Sequence, residues 1–78
     1  MYTNKEFGLR LKKLRMEAHE TQKQLAELLG VTQNQIGEME HGRKASTYGK
    51  LAIICTHYNV TADYLLCLTD EPRKLEET

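Results

Sequence analysis

The sequence has few of the residues that build disulfide scaffolds, metal centres or membrane spans. Its 78 residues include two cysteines, Cys55 and Cys67, one proline and no tryptophan. Two cysteines with no secretion signal, no CxxC spacing and no histidine cluster predict neither a disulfide framework nor a zinc site. The longest apolar runs, such as residues 51–55, are far shorter than the roughly 18 residues that a membrane helix needs. We therefore expect a reduced, cytoplasmic protein.

An excess of charge of one sign is also missing. Eleven Lys and Arg side chains balance eleven Asp and Glu side chains, so the net charge points to neither a nucleic acid nor a membrane. The distribution is uneven: residues 1–44 hold eight basic and six acidic side chains (+2), and residues 45–78 hold three and five (−2). With 40% apolar residues, the composition is typical of one small folded domain.

The motifs that commonly mark enzymes are missing as well. The sequence has no Gly-rich phosphate loop, no HExxH and no GxSxG, and each of these patterns would have suggested a reaction class. The three histidines, His19, His41 and His57, stand apart from one another. We expect no catalysis, no cofactor, no metal site and no small-molecule ligand.

Three segments open with a threonine followed three residues later by Glu or Gln, the capping box that marks a helix start. The pairs are Thr3 with Glu6, Thr21 with Gln24, and Thr32 with Gln35. Apolar residues at steps of three and four follow each box, which predicts helices over residues 4–19, 22–29 and 33–40. For three basic residues of the first helix, Arg10, Lys12 and Lys13, we favour a hydrated face over a phosphate contact.

The second half of the chain predicts two further helices. Thr47 or Ser46 can cap a fourth helix that ends at Asn59, and Thr61 can cap a short fifth helix. The apolar stripe of the fourth helix consists of Tyr48, Leu51, Ile54, Cys55 and Tyr58. No alternating pattern with hairpin turns predicts a strand. The last stretch, residues 71–78, is polar and is expected to be a C-terminal tail.

The second and third predicted helices are joined by a tight turn over residues 29–32 that contains Gly30. A scaffold helix, a Gly-containing turn and a second helix presented outward form a helix-turn-helix. The first turn of that second helix carries the amides Gln33, Asn34 and Gln35. Asn and Gln side chains can pair with N6 and N7 of adenine in the major groove, a contact worth about 1 to 3 kcal/mol of discrimination. The alternative is an ordinary solvated face, with Gln35 only completing the cap.

Three stretches of the chain carry a resemblance to a known family. They are FGLRLKKLR, TQKQLAELLGVTQNQIGEMEHG and YNVTADYLLCLTD. Over about residues 7–70 the sequence resembles the Cro and phage-repressor type of helix-turn-helix transcriptional regulators, the XRE family. The resemblance implies an all-α, compact five-helix bundle, a lambda-repressor-like DNA-binding domain over residues 1–70, in agreement with the five helices predicted above. It also implies sequence-specific binding of double-stranded DNA by a small regulator, a repressor, with helix 33–40 in the major groove.

The resemblance also implies roles for individual residues. Gln22 matches a glutamine of the second helix that holds a DNA phosphate and braces Gln33. The residues at base-contacting positions are Gln33, Asn34 and Glu38. Those at phosphate-contacting positions are Gln22, Thr32, His41, Arg43 and Lys44. Arg15 and Glu40 match a structural ion pair that ties the first helix to the end of the third.

Four residues depart from the usual pattern of that family. Glu38 stands where many relatives carry Lys, Gln or Arg, and its carboxylate can accept from cytosine N4 or be repelled by phosphate. Gly37, in the middle of the third helix, costs about 1 kcal/mol against Ala, and only the close approach of a partner would give it a purpose. Ser46 and Cys67 replace a common Pro and Gly.

A single module of this kind reads only a few base pairs. Tight, specific binding therefore predicts a homodimer on a palindromic operator whose half-sites lie one helical turn, roughly 34 Å, apart. The residues expected to form a modest apolar dimer interface are Ile53, Tyr64, Cys67 and Leu68. The alternative function is a protein-interaction module or antitoxin component of the same fold, for which the balanced net charge is the main support.

Overall fold

The computed structural model describes residues 1–72, and within them the chain forms five α-helices and no strand. The helices are α1 (Asn4–Glu17), α2 (Gln22–Leu29), α3 (Gln33–Glu40), α4 (Tyr48–Tyr58) and α5 (Ala62–Leu65). The predicted all-α class and the bounds of α2 and α3 are confirmed. The predicted tail lies outside the described residues from position 73 onward.

A threonine caps the N-terminus of each of these five helices. The caps are Thr3, Thr21, Thr32, Thr47 and Thr61. Both halves of the capping box are present at the starts of α2 and α3, whereas at α1 the Glu6 carboxylate lies 3.5 Å from the Arg10 guanidinium instead. Of the two candidates for the cap of α4, Thr47 accepts from the Lys50 N–H.

Two predictions fail at helix ends. The first helix stops at Glu17 and not at His19, because His19 has a positive φ of 57°, which turns the chain out of the helix. Tyr48 was expected on the apolar stripe of α4 but is 93% exposed. It is the first residue of the helix, and α4 meets the core only from Leu51 onward.

The core draws on every helix, and α3 packs against both α1 and α2. Its buried members are Phe7, Leu11, Leu25, Ala26, Leu29, Ile36, Met39, Ile54, Cys55, Val60, Tyr64 and Leu65. Since Ile36 and Met39 are buried in this cluster, the rotation of α3 about its own axis is fixed. The opposite side of α3 is thereby turned away from the core.

The close approach of α1 to the C-terminal end of α3 depends on two glycines. A Cβ at Gly8 would lie 2.3 Å from the Met39 carbonyl oxygen and 2.5 Å from that of Glu40. At Gly42, where φ is 79°, a Cβ would lie 2.6 Å from Lys5 Cα. Both contacts involve backbone atoms, so a side chain at either position would push the two segments apart.

A buried ion pair joins the same two helices. Arg15 Nε donates to Glu40 Oε2 at 2.6 Å and Arg15 Nη2 donates to Glu40 Oε1 at 3.1 Å. Glu40 is 5% exposed, and the hydrogen bond to its carboxylate raises the pKa of the Arg15 guanidinium. Gln22 Nε2 donates to the same carboxylate at 3.0 Å. One carboxylate thus connects α1, α2 and α3, in the pairing that the resemblance implied for Arg15 and Glu40.

A second carboxylate links the α1–α2 turn to α4. Glu20 accepts from the Tyr58 hydroxyl and from His57 Nε2, each at 2.6 Å. Burial would raise the pKa of the Glu20 carboxyl, but these two hydrogen bonds outweigh it, and the pKa is lowered from its ordinary value of 4.5. Burial and the bond to Glu20 raise the pKa of the Tyr58 hydroxyl. Arg15 Nη1 donates to the backbone oxygen of Glu20 at 2.7 Å, which joins the two carboxylate centres.

We expect the substitution Gly8→Ala to lower the free energy of unfolding by about 1 to 3 kcal/mol, the usual cost of overpacking a well-packed site. Urea denaturation followed by circular dichroism measures this change. Gly49→Ala is the matched control, because a Cβ at that position in α4 meets nothing within 4 Å. A Gly8→Ala protein as stable as the wild type would contradict the tight α1–α3 contact.

Glu20→Gln is expected to lower stability most at neutral pH. A lowered native pKa means that the Glu20 carboxylate stabilises the fold above about pH 4.5 and loses this contribution as the pH falls through the native pKa. The difference in unfolding free energy between wild type and Glu20→Gln should therefore shrink between pH 7 and pH 3. Glu27→Gln, which changes an exposed carboxylate of α2, is the control. A difference that stays constant over this range would show that the native pKa of Glu20 is not lowered.

Candidate nucleic-acid interface

The turn between α2 and α3 is locked by backbone conformation and by a cap. Gly30 adopts φ 70° and ψ 31°, the left-handed conformation that ends α2. Two residues later the Thr32 hydroxyl accepts from the Gln35 N–H at 3.1 Å, and the Gln35 side chain accepts from the Thr32 N–H at 2.9 Å. The start of α3 is therefore fixed relative to α2.

Two amide side chains are displayed at that start. Gln33 and Asn34 are exposed, while Ile36 and Met39 on the other side of α3 are buried. Gln35 is exposed as well, but its side-chain oxygen is engaged in the cap. Gln33 and Asn34, which we call the amide edge, can therefore meet a base edge without breaking a contact that holds the fold.

Two of the predicted DNA-contacting residues pair with each other. Arg43 Nη1 lies 3.4 Å from Glu38 Oε1. The Arg43 side chain is exposed and Glu38 is half-buried, so the pair contributes at most about 1 kcal/mol. The pairing reduces the repulsion that a bare Glu38 carboxylate would exert on a phosphate. Lys44, the next residue, is exposed.

The ring of His41 is oriented by the helix it ends. His41 Nδ1 lies 2.7 Å from the Gly37 carbonyl oxygen, and because that oxygen can only accept, Nδ1 carries a proton. A neutral ring in this tautomer has only an acceptor left, at Nε2. The predicted phosphate contact by His41 therefore requires the doubly protonated, cationic ring.

Gln22 has a different partner from the one expected. The family resemblance implied that it would brace Gln33, but its amide nitrogen donates to Glu40. No hydrogen bond joins Gln22 to Gln33 within residues 1–72. The buried carboxylate of Glu40 is the stronger acceptor, since hydrogen bonds to ionised groups are roughly twice as strong as neutral ones. The phosphate contact by Gln22 remains a prediction.

Arg10 has a role that the sequence did not reveal. It was expected on a hydrated face, but Nη1 donates to the backbone oxygens of Tyr64 and Thr69, both at 2.6 Å. Nη2 donates to Asp70 Oδ1 at 2.8 Å, and the guanidinium carbon lies 4.7 Å from the Tyr64 ring centroid. Arg10 thus fixes the C-terminal segment of the domain to α1. These partners are 54 to 60 positions away in sequence, so no local pattern could have found them.

The four residues predicted for a dimer interface differ in their exposure to solvent. Ile53 is 42% exposed on α4 and Leu68 is 71% exposed after α5, and Cys67 is half-buried. Tyr64 is 5% exposed and belongs to the core, so its prediction as an interface residue is wrong. Its ring is the largest apolar group of the short α5 and is buried beneath Arg10.

No helix within residues 1–72 is long and apolar enough to cross a membrane. In the same residues, no three His, Cys, Asp or Glu side chains are grouped so that they could hold a metal ion.

Comparison with known proteins agrees with this geometry. A family model described as a helix-turn-helix domain matches residues 6–65. The chain is 40% identical over 63 residues to the uncharacterised HTH-type transcriptional regulator YobD of Bacillus subtilis, covering 81% of this chain and 56% of that protein. It spans a little over half the length of the curated relatives that it matches.

Solved structures share the fold. The restriction-modification controller protein C.AhdI from Aeromonas hydrophila matches with a TM-score of 0.70 and 26% identity, over 80% of this chain and 94% of that one. The P22 c2 repressor matches with a TM-score of 0.72 over 77% of this chain and 91% of that one, and its 23% identity supports the fold alone. The chain therefore belongs to the helix-turn-helix domain family, and the five helices within residues 1–72 have the arrangement of the Cro and phage-repressor type.

Proposed function

We propose that the protein is a small transcriptional regulator that binds a specific double-stranded DNA sequence and represses by blocking access to a promoter. The observation that carries the proposal is the exposed amide edge, Gln33 and Asn34, on a helix whose other side is buried. A short helix held in this way can enter the major groove, where its amides read adenine. The P22 c2 repressor was solved in complex with a synthetic operator, which makes duplex DNA the first ligand to test.

Around the amide edge, several polar groups are suited to phosphate. Arg43 and Lys44 follow α3 directly and are exposed. The Thr32 hydroxyl accepts the cap bond but keeps its own proton for a phosphate oxygen. We infer that these groups set the register of the protein on the duplex while Gln33 and Asn34 supply sequence preference.

A homodimer on a palindromic operator completes the proposal. Ile53 and Leu68 are exposed aliphatic side chains, and a symmetric contact through them would remove both from water. Two copies would then offer one amide edge to each half-site. Doubling the reading surface raises the specificity that a single short helix can supply.

Replacing both Gln33 and Asn34 by Ala should cost about 2 to 6 kcal/mol of binding free energy at the preferred duplex, since each bidentate contact is worth about 1 to 3. The preferred duplex is first selected from a random library, and affinities are then measured by fluorescence anisotropy. Binding to random duplex should hardly change, because phosphate contacts carry it.

Lys44→Ala is the contrasting variant in the same experiment. It should weaken binding to both duplexes about equally and reduce the log–log salt slope by about one. Lys12→Ala, on the exposed face of α1, is the control for loss of a lysine. A wild-type protein that ignores every duplex at low salt but retains a protein partner would overturn DNA binding in favour of an interaction module.

The dimer makes a separate prediction. We expect Ile53→Glu to shift the protein from dimer to monomer in sedimentation velocity at high micromolar concentration, because it places a charge in an apolar contact. Affinity for a duplex with two half-sites should fall, and affinity for one half-site should not. Met16→Glu changes a comparably exposed side chain on α1 and should leave the dimer intact. A wild-type protein that is monomeric both on and off DNA would contradict the predicted interface.

A further inference from the structure

Gly37 is a helical glycine that the fold of the chain does not require. Its φ is not positive, unlike those of Gly30 and Gly42. A Cβ at Gly37 would meet only Gln22 Nε2, at 4.0 Å, which is ordinary van der Waals contact. A glycine inside a helix is destabilising relative to alanine. In the isolated protein this residue therefore lowers stability and gives no compensating contact, in contrast to Gly8, where backbone of α3 fills the space.

The position of Gly37 places the missing side chain next to the amide edge. It follows Gln33 by four residues and Asn34 by three, so all three lie on neighbouring turns of one helix face. Gly37 is itself half-exposed. We call this gap the notch, and its neighbours are the amide edge on one side, His41 on the next turn and the Gln22 amide of α2.

The chemistry of the notch favours an apolar group. The Gly37 carbonyl oxygen accepts from the His41 backbone N–H at 2.9 Å and from His41 Nδ1 at 2.7 Å, which uses both of its lone pairs. The amide nitrogen of Gln22, beside the notch, donates one of its two N–H groups to Glu40. The group of Gly37 that faces the notch is therefore its apolar Cα. Of the groups that bases expose in the major groove, the thymine 5-methyl is the apolar one.

We propose that Gly37 is a specificity-determining residue, whose missing side chain leaves room for a thymine 5-methyl group against the backbone of α3. The inference rests on the proposed DNA binding and adds a second element to the reading surface. Gln33 and Asn34 recognise polar base edges, and the notch recognises a methyl group by shape. The partly buried hydrogen bond from Gln22 to Glu40 keeps the adjacent amide in place before DNA binds.

The proposal can be tested by removing the methyl group from the DNA and by adding one to the protein at position 37. In the preferred duplex of the wild type, each thymine is replaced in turn by deoxyuridine, which lacks only the 5-methyl group. At one position per half-site the wild type should lose about fourfold in affinity, the value of one buried methyl group. Gly37→Ala should bind the thymine duplex about tenfold more weakly or worse, because two methyl groups then compete for one space. When deoxyuridine replaces thymine at that same position, the affinity of Gly37→Ala should return to within about threefold of the affinity of the wild type for the thymine duplex.

Two measurements separate this effect from damage to the fold. Gly37→Ala should raise the midpoint of thermal unfolding, so that weaker DNA binding accompanies a more stable protein. Gly49→Ala, a second helical glycine with nothing within 4 Å of its added Cβ, should bind every duplex as the wild type does. If Gly37→Ala binds the thymine duplex as well as the wild type, or if no deoxyuridine position restores its binding, the notch proposal is overturned. If the wild type selects no duplex, the proposed function itself fails.

Discussion

The carboxylate of Glu40 is buried at the last residue of α3 and accepts hydrogen bonds from Arg15 of α1 and Gln22 of α2. Removing one partner of a buried ion pair leaves an uncompensated charge, which typically costs about 3 to 5 kcal/mol. The geometry is demanding, because a bidentate guanidinium–carboxylate contact is planar and directional. The orientation of α3 relative to the other two helices therefore depends on a contact with little angular freedom, and Gly8 allows α1 to come close enough for it to form.

This fixed frame matters because the reading groups themselves are exposed and have rotamer freedom. An exposed Gln or Asn side chain adds binding specificity when the backbone that carries it is already in place. Binding then costs only the entropy of ordering the side chain, which is smaller than the entropy of ordering a helix. The capping box at Thr32 places the first turn of α3, and the Glu40 contacts place its last. The balanced net charge of the chain is compatible with a surface that selects a DNA sequence by the geometry of its amide side chains. The cations that would contact phosphate are then confined to the neighbourhood of α3.

The local features of the fold could be predicted from sequence, whereas most of the long-range polar contacts described above could not, the Arg15–Glu40 pair being predicted through the family resemblance. Capping threonines and apolar periodicity are properties of adjacent residues, which is why α2 and α3 have the predicted bounds. The contacts of Glu20 with α4 join residues 37 and 38 positions apart, and no pattern in the sequence relates them. The family resemblance gave the position of Gln22 but not its hydrogen-bond partner, because in this chain the carboxylate of Glu40 is the stronger acceptor. For Tyr64, the sequence of the short α5 did not indicate whether the aromatic side chain faces the core or solvent.

The amide edge and the Leu68 part of the predicted dimer contact are both anchored to α1. Arg15 holds the end of α3, and one and a half turns earlier Arg10 holds the backbone of Tyr64 and Thr69 on either side of Cys67 and Leu68. Because a helix is stiff over this length, the offset between the amide edge and the Leu68 part of the predicted dimer contact is set within one rigid element. In a symmetric pair, that offset would determine the separation of the two amide edges, which must match one turn of DNA, roughly 34 Å. The arginines of α1, which contact no base in this proposal, would then select the half-site spacing that the dimer accepts.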